Sequence, residues 1–515
     1  MENDNNQALI NEEENNPILN DKEKVKKNNG EDTESNSTLI EINDNARRTI
    51  YICLVLIHTF SNCDGGVIPQ QNNNIKTDFK DEDDSLIGFF GSVDYFGRVF
   101  GALIFAFILG KMNRKMILFL TLILKAITLL IAVPFGGSVI NIIFRGISGI
   151  SQVFYTSYLP VWCDQYGKKN HRTIMVMLVQ LGLPIGIIIG YGMGMICDLI
   201  IPEDSNYKGW RVCFGIEGVI LLIIAFIILG FKKRYFSEKF VLIDDNIGKE
   251  ENVEEEAEEQ DSKKLINFDN IKKIICNKLF LFTTLSDSVA FFGMGIIQFW
   301  GDKYMEVVLK METTLRFVIF ALLCLLGPIC GMVFGGMVCS KLGGYNTKKA
   351  MILTIILLLM AAVFSSLITL GNKMVVFIIF SWCYLFFLCG AMPPASGIII
   401  ASLDNNLRGD GFALSNSLLN LIGSFPSSYI FGALLDFYKK KMTEEEVNDA
   451  RHYVYTMISC MAYNFVGVIL IAIAGVFRFK IKGDLSVNQE EGMTDADTLG
   501  IDKETASEQN SREYN

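Results

Sequence analysis

Histidine is nearly missing from this chain: three residues in 515. Zinc centres and histidine-based catalytic triads are therefore not expected. Charge is also scarce, at 20% of residues, and it largely avoids the long apolar runs. The net charge of −10 gathers in three polar stretches, residues 1–46, about 235–270 and the tail beyond about 483. That balance supplies no basic surface of the kind nucleic acid requires. The glycine-rich runs at 182–194 and 327–336 are followed by no Gly-Lys-Ser/Thr, so they are not phosphate loops. The 12 cysteines show neither metal-ligand spacing nor a disulfide framework. Most, including Cys53, Cys197, Cys324, Cys383 and Cys389, lie inside apolar runs and read as small buried hydrophobes. No metal, no cofactor and no nucleophile–base set is expected, and so no enzyme. Residues 1–46 are polar, acidic and rich in asparagine, which is not the pattern of a cleavable signal peptide.

What the chain has in abundance is apolar length. Half of its residues are hydrophobic. They fall into twelve runs, near 47–69, 85–109, 116–136, 139–163, 172–198, 210–231, 278–301, 315–339, 349–371, 374–402, 409–436 and 453–477. Each is close to the roughly 20 residues that a helix needs to cross about 30 Å of hydrocarbon. A helix satisfies its own backbone groups in lipid, so continuous apolar runs of this length predict an all-α membrane protein in the bilayer. Residues 47–231 form one group of six runs and 278–480 another. Between them lies a charged linker, 232–277, with Glu254, Glu255, Glu256, Glu258 and Glu259. Residues 1–46 and 481–515 read as disordered acidic tails.

The two groups repeat. Tyr-x-x-Gly-x-x-x-Asp occurs as Tyr191, Gly194, Asp198 and again as Tyr429, Gly432, Asp436, offset by 429 − 191 = 238 residues. Arg172 and Arg408 open the two runs. An even number of runs in each group gives both the same orientation, as a parallel repeat requires. Basic residues in the even-numbered connections predict termini on the cytoplasmic side. Lys439, Lys440, Lys441 and Arg451 pull the other way.

Particular residues carry a resemblance. Gly110-Lys111-Met112-Asn113-Arg114-Lys115 resembles the Gly-Asp-Arg-x-Asn-Arg-Lys signature of the major facilitator superfamily, with Gly110 in the acidic place. Residues 336–344 resemble the same signature, with Ser340 there. Arg145 to Ser151 is similar to that family's Arg-x-x-x-Gly-x-Gly. Within the superfamily the chain looks like the spinster-like branch. Arg145, Gly146, Gly149, Tyr155 and Pro160 resemble its fourth helix. Pro184, Gly186, Gly190, Tyr191 and Gly194 resemble its fifth, and Arg408 through Asp436 its eleventh. The resemblance implies twelve transmembrane helices in two pseudo-symmetric bundles of six and a monomeric transporter of lysophospholipids or sphingoid lipids, often proton-driven and often lysosomal. Two departures stand out. Gln152 occupies the place of an acidic residue, and Gly65 that of an arginine after the span-one aspartate.

Ionisable groups at membrane depth cost about 2.5–3.5 kcal/mol on insertion scales and ask for a reason. Asp64, Arg145, Gln152, Tyr155, Asn416 and Asn420 are the expected substrate contacts. Gln152 and Tyr155 would extend a polar line from Arg145, and Asn416 and Asn420 would face it across the cavity. Alternatives stay open: Arg145 as an interfacial snorkelling residue, the asparagines as interhelical bonds. Asp64, Glu217 and Asp287 are the carboxylates best suited to proton coupling. Glu217 lies near a span end, where a solvated or paired role is the simpler reading. Asp94 and Arg98, four apart on one helix face, form a structural ion pair or a gate. Lys111, Arg114 and Lys115 hold the inner helix ends, and Lys125 snorkels or pairs. Glu14 to Leu19 faintly resembles an acidic dileucine signal, so an endolysosomal or plasma membrane is expected. A carrier of a small polar nutrient or organic anion, and a transceptor or scaffold that keeps the fold without transport, are the competing functions.

Overall fold

The computed structural model describes residues 44–485 except 81–82, 109–111, 136, 167–174, 176–177, 203–207, 237–267, 371–372, 405–406, 482 and 484. Gly110, Lys111, the Glu14–Leu19 segment, the acidic heart of the linker and most of both tails lie outside the described residues. Among the described residues there is no strand. Among the same residues, eleven helices are long and apolar enough to cross a membrane. Span four, Ser138–Tyr166, has 29 residues and is the twelfth by length. It is absent from the eleven on apolarity, because Arg145, Ser148, Ser151, Gln152 and Tyr155 share its middle.

Span one is two helices, Asp44–Phe60 and Asp64–Gln70. The break at Ser61–Cys63 has a local cause: the Asn62 amide donates to the His58 carbonyl at 2.6 Å, in competition with the helix ladder. Spans two to six are Asp84–Ile108, Arg114–Ala132, Ser138–Tyr166, Gly182–Ile200 and Gly209–Leu229. A short helix, Asn72–Phe79, follows span one. The expected linker is partly ordered: a 3₁₀ turn, Lys233–Phe236, packs on span four, where Tyr158 and Trp162 donate to the Phe236 and Tyr235 carbonyls, and a helix, Phe268–Cys276, precedes span seven.

The second bundle holds Lys278–Val307, Thr313–Lys341, Lys348–Leu367 and Met374–Ala401 as spans seven to ten. Span eleven runs from Arg408 to Lys441 with a six-residue π-helical stretch, Leu419–Ser424, in its middle. Pro426 follows two residues after its end. Its ring cannot tolerate the carbonyl four residues back, and the widened turn makes room for it. Span twelve is Arg451–Ala462 and Asn464–Lys480.

Backbone contact, made possible by glycine, joins the helices in pairs. A Cβ on Gly97 would stand 2.0 Å from the Gly146 carbonyl oxygen, where span two crosses span four. A Cβ on Gly335 would stand 1.8 Å from that of Gly390, where span eight crosses span ten. Small residues at such crossings let helices approach without side chains between them.

Candidate functional site

The halves meet on the face opposite the termini. There the Asp436 carboxylate accepts the backbone N–H groups of Asp84 and Ser85, at 3.0 and 2.8 Å, capping the start of span two from the other bundle. The Tyr191 hydroxyl donates to Asp302 of span seven, and its ring stacks on Phe317 of span eight at 5.4 Å. Lys303 donates to Asn73 at 2.9 Å. Every described hydrogen bond between the halves lies on this outer face.

Beneath this closure is a cavity of about 120 Å³ between the bundles. Its walls differ. The first bundle contributes Asn62, Asp64, Asp94, Tyr95, Arg98 and Arg145, with Ile68, Leu183 and Ile187 beside them. The second contributes Phe291, Met294, Gln298, Phe299, Asn420, Ser424, Ser427 and Ser428, none of them charged.

Asp64 is the centre of the charged wall. It opens the outer segment of span one, and its Oδ1 accepts from the Gly65 N–H at 2.9 Å. Its Oδ2 accepts from Lys125 of span three at 2.5 Å and also from Arg145 of span four. Lys125 is fully buried, so it pairs rather than snorkels. Glu217 of span six is fully buried as well; no side chain hydrogen-bonds to it, and the donor beside its carboxylate is the backbone N–H of Asp64. Asp64, Lys125 and Arg145 are the charges that act on it. The sequence-based placement of Glu217 near a solvated span end is thus corrected. Because span six starts at Gly209, residue 217 is more than two turns inside the bundle.

Asp94 and Arg98 do pair, at 2.8 Å, and both line the cavity. Gln152 and Tyr155 are buried behind the wall instead of extending it. Gln152 donates to Asn62 at 2.9 Å and so supports a lining residue. Asn420 reaches the cavity through the π-helical stretch and donates to the Asn416 carbonyl at 2.8 Å. Asn416 itself does not line it. Asp287 is buried in span seven away from the cavity lining. Arg114 opens span three, and Lys115 Nζ donates to the Leu229 carbonyl at 2.7 Å and to that of Phe231, tying span three to the end of span six.

Sequence reasoning missed the weight of Lys125 and all of the Asp302–Arg316 pair, at 2.8 Å. Its one signal for Lys125 was a lone lysine in mid-span without a carboxylate one turn away.

A profile of the Major Facilitator Superfamily matches residues 52–427. A protein of Arabidopsis thaliana named probable sphingolipid transporter spinster homolog 1 is 23% identical over 311 residues, 58% of this chain and 61% of that protein. The mouse sphingosine-1-phosphate transporter SPNS2 is 21% identical over 421 residues, 75% of this chain and 70% of its own. The chain thus spans about three fifths of the length of the Arabidopsis relative. A crystal structure of a bacterial homologue of the human lysosomal transporter Spinster, inward-facing and unoccupied, superposes with a TM-score of 0.70 at 14% identity, covering 85% of this chain and 99% of that one.

Proposed function

The chain belongs to the Major Facilitator Superfamily, with spinster-like transporters among its relatives, and from that premise we propose that it carries a lysophospholipid or sphingoid-type amphiphile by alternating access. What carries the reading is the two-sided cavity: charge only on the first bundle's wall, and on the second's Phe291, Met294 and Phe299 beside uncharged amide and hydroxyl groups. A polar head group fits the former and the first carbons of an acyl or sphingoid chain the latter. The cavity's 120 Å³ is below the roughly 300–1,000 Å³ of sites that enclose a drug-sized ligand, so it takes a head group and not a whole lipid. Entry of the tail then requires the halves to part. The same small volume supports a second reading, a carrier of a small polar nutrient or organic anion.

Proton coupling is the finer part of the proposal. Asp64 faces the cavity with its charge already matched by Lys125 and Arg145. Glu217 stands behind it, fully buried, with no side-chain donor and only the Asp64 backbone N–H beside it. An ionised carboxylate in that place is costly, so uptake and release of a proton there is the step that substrate at Asp64 and Arg145 would bias. The protein works as a monomer with cytoplasmic termini, in an endolysosomal or plasma membrane.

Proteoliposomes test this directly. Uptake of a labelled lysolipid or sphingoid base, accelerated by a pH gradient and lost in Asp64→Asn, is the expected result. Movement of a small organic anion alone would favour the second reading. No flux of either would leave a transceptor or scaffold, and flux indifferent to pH would end the coupling proposal.

A further inference from the structure

Two thiols on the outer side of the first bundle are used by nothing described so far. Cys197 lies in the last turn of span five and Cys213 in the second turn of span six, with their sulfurs 3.4 Å apart. Each is free, and no other sulfur–sulfur contact is described among the 12 cysteines. We infer that Cys197 and Cys213 are a disulfide-forming pair, a covalent staple between the outer ends of spans five and six.

The surroundings hold the pair in place. A Cβ on Gly209 would stand 3.1 Å from the Cys197 Cβ, so the two helices touch at this level with little between them. The helix Asn72–Phe79 and the residues just before it grip both partners. Gln71 donates to Asp198, next to Cys197, at 2.6 Å, and Asp78 accepts from Arg211, two residues before Cys213, at 2.5 and 2.7 Å. Sulfurs so constrained need only a small approach to reach the ~2.05 Å of a disulfide.

The two thiols differ in access. Cys197 is 9% exposed and Cys213 fully buried. Cys197 is therefore the entry point. Its thiolate attacks the disulfide of an oxidant such as oxidised glutathione, forming a mixed disulfide and releasing one thiol. The Cys213 thiolate then attacks the Cys197 sulfur and expels the second. Two protein thiols lose two protons and two electrons, and the oxidant's disulfide is reduced to two thiols. Span count puts the pair on the face opposite the termini. With the termini cytoplasmic, an orientation that rests on the proposed function, that face meets an oxidising compartment.

Both cysteines belong to one bundle, so the staple leaves the halves free to part while fixing the outer end of span five, which carries Tyr191. The test uses the purified full chain in detergent, incubated with oxidised glutathione, then unfolded, alkylated without reductant and digested. A peptide linking Cys197 to Cys213, replaced in Cys213→Ser by a glutathione adduct on Cys197, is the expected outcome, with a lower thermal midpoint once the linkage is reduced. Recovery of both cysteines alkylated, or of the glutathione adduct in the unmodified chain, would overturn the inference. The linkage is read by mass and involves no transport, so its failure is distinct from failure of the carrier reading.

Discussion

The first bundle satisfies its buried outer carboxylate from its own helices, whereas the second shares the matching one with the other bundle. The contrast is clearest at Asp64 and Asp302, which share the register of the doubled motif, 302 − 64 = 238. Asp64 is bound by Lys125 and Arg145 of its own bundle. Asp302 is bound by Arg316 of its own bundle and by Tyr191 of the other. The two copies of Tyr-x-x-Gly-x-x-x-Asp diverge in the same manner. Asp198 accepts from Gln70, Gln71 and Asn74 within its bundle, while Asp436 reaches across to cap span two. Duplication repeated the helix crossings, which depend on residue size. It did not repeat the polar contacts, which depend on which charges a partner helix offers.

The contrast can be broken most severely at Arg145. Arg145→Ala leaves Asp64 and Glu217 facing Lys125 alone, and losing one partner of a buried pair costs about 3–5 kcal/mol. Denaturation in detergent should show that loss and flux should vanish, while Arg316→Ala, whose other partner Glu306 is half-exposed, should lose less. Equal losses for the two variants would erase the distinction between the two pairs. Next is Glu217→Gln, whose amide oxygen can still accept from the Asp64 backbone N–H. Its stability should stay within about 1 kcal/mol of the parent, yet its flux should no longer respond to a pH gradient. Asp287→Asn should keep that response, and a response lost in Asp287→Asn but kept in Glu217→Gln would move the coupling site to the second bundle.

A smaller effect is expected at the outer face. Removing an N-cap costs about 0.5–2 kcal/mol, so Asp436→Ala should open the outer face several-fold more often, as read by labelling of a cysteine placed beside Ser428. Asp198→Ala, whose partners all lie in its own bundle, should leave labelling unchanged. The smallest is Asn420→Ala, a neutral cavity contact worth about 0.5–1.5 kcal/mol, expected to raise KM a few-fold with stability intact. A complete loss of flux there would mean that the uncharged wall matters as much as the charged one.

Much of this was legible beforehand. Apolar length marks a membrane helix because lipid offers the backbone no other partner, and the 238-residue offset marked the repeat. Asp64, Arg145 and Asn420 were marked as site residues because charge or amide groups in such runs are costly, and all three line the cavity. Gln152 and Tyr155 were read onto the same line as Arg145 from helical spacing. Spacing fixes a face of the helix, but not whether that face meets a cavity or another helix, and here Asn62 of span one covers Gln152. The break in span one at Ser61–Cys63 and the π-helical stretch of span eleven were invisible to hydropathy, since both keep their apolar composition.

The sequence by itself determined that the chain is helical, that it crosses a membrane and that its two groups of six helices are related, because these follow from local composition and period. Only the tertiary structure decided which charges meet. Asp64, Lys125, Arg145 and Glu217 come from four different helices and are up to 153 positions apart (217 − 64). Lone charges in lipid require partners, but the physics that demands a partner does not name it. Helix packing does, by bringing span six against span one and span three against spans four and six.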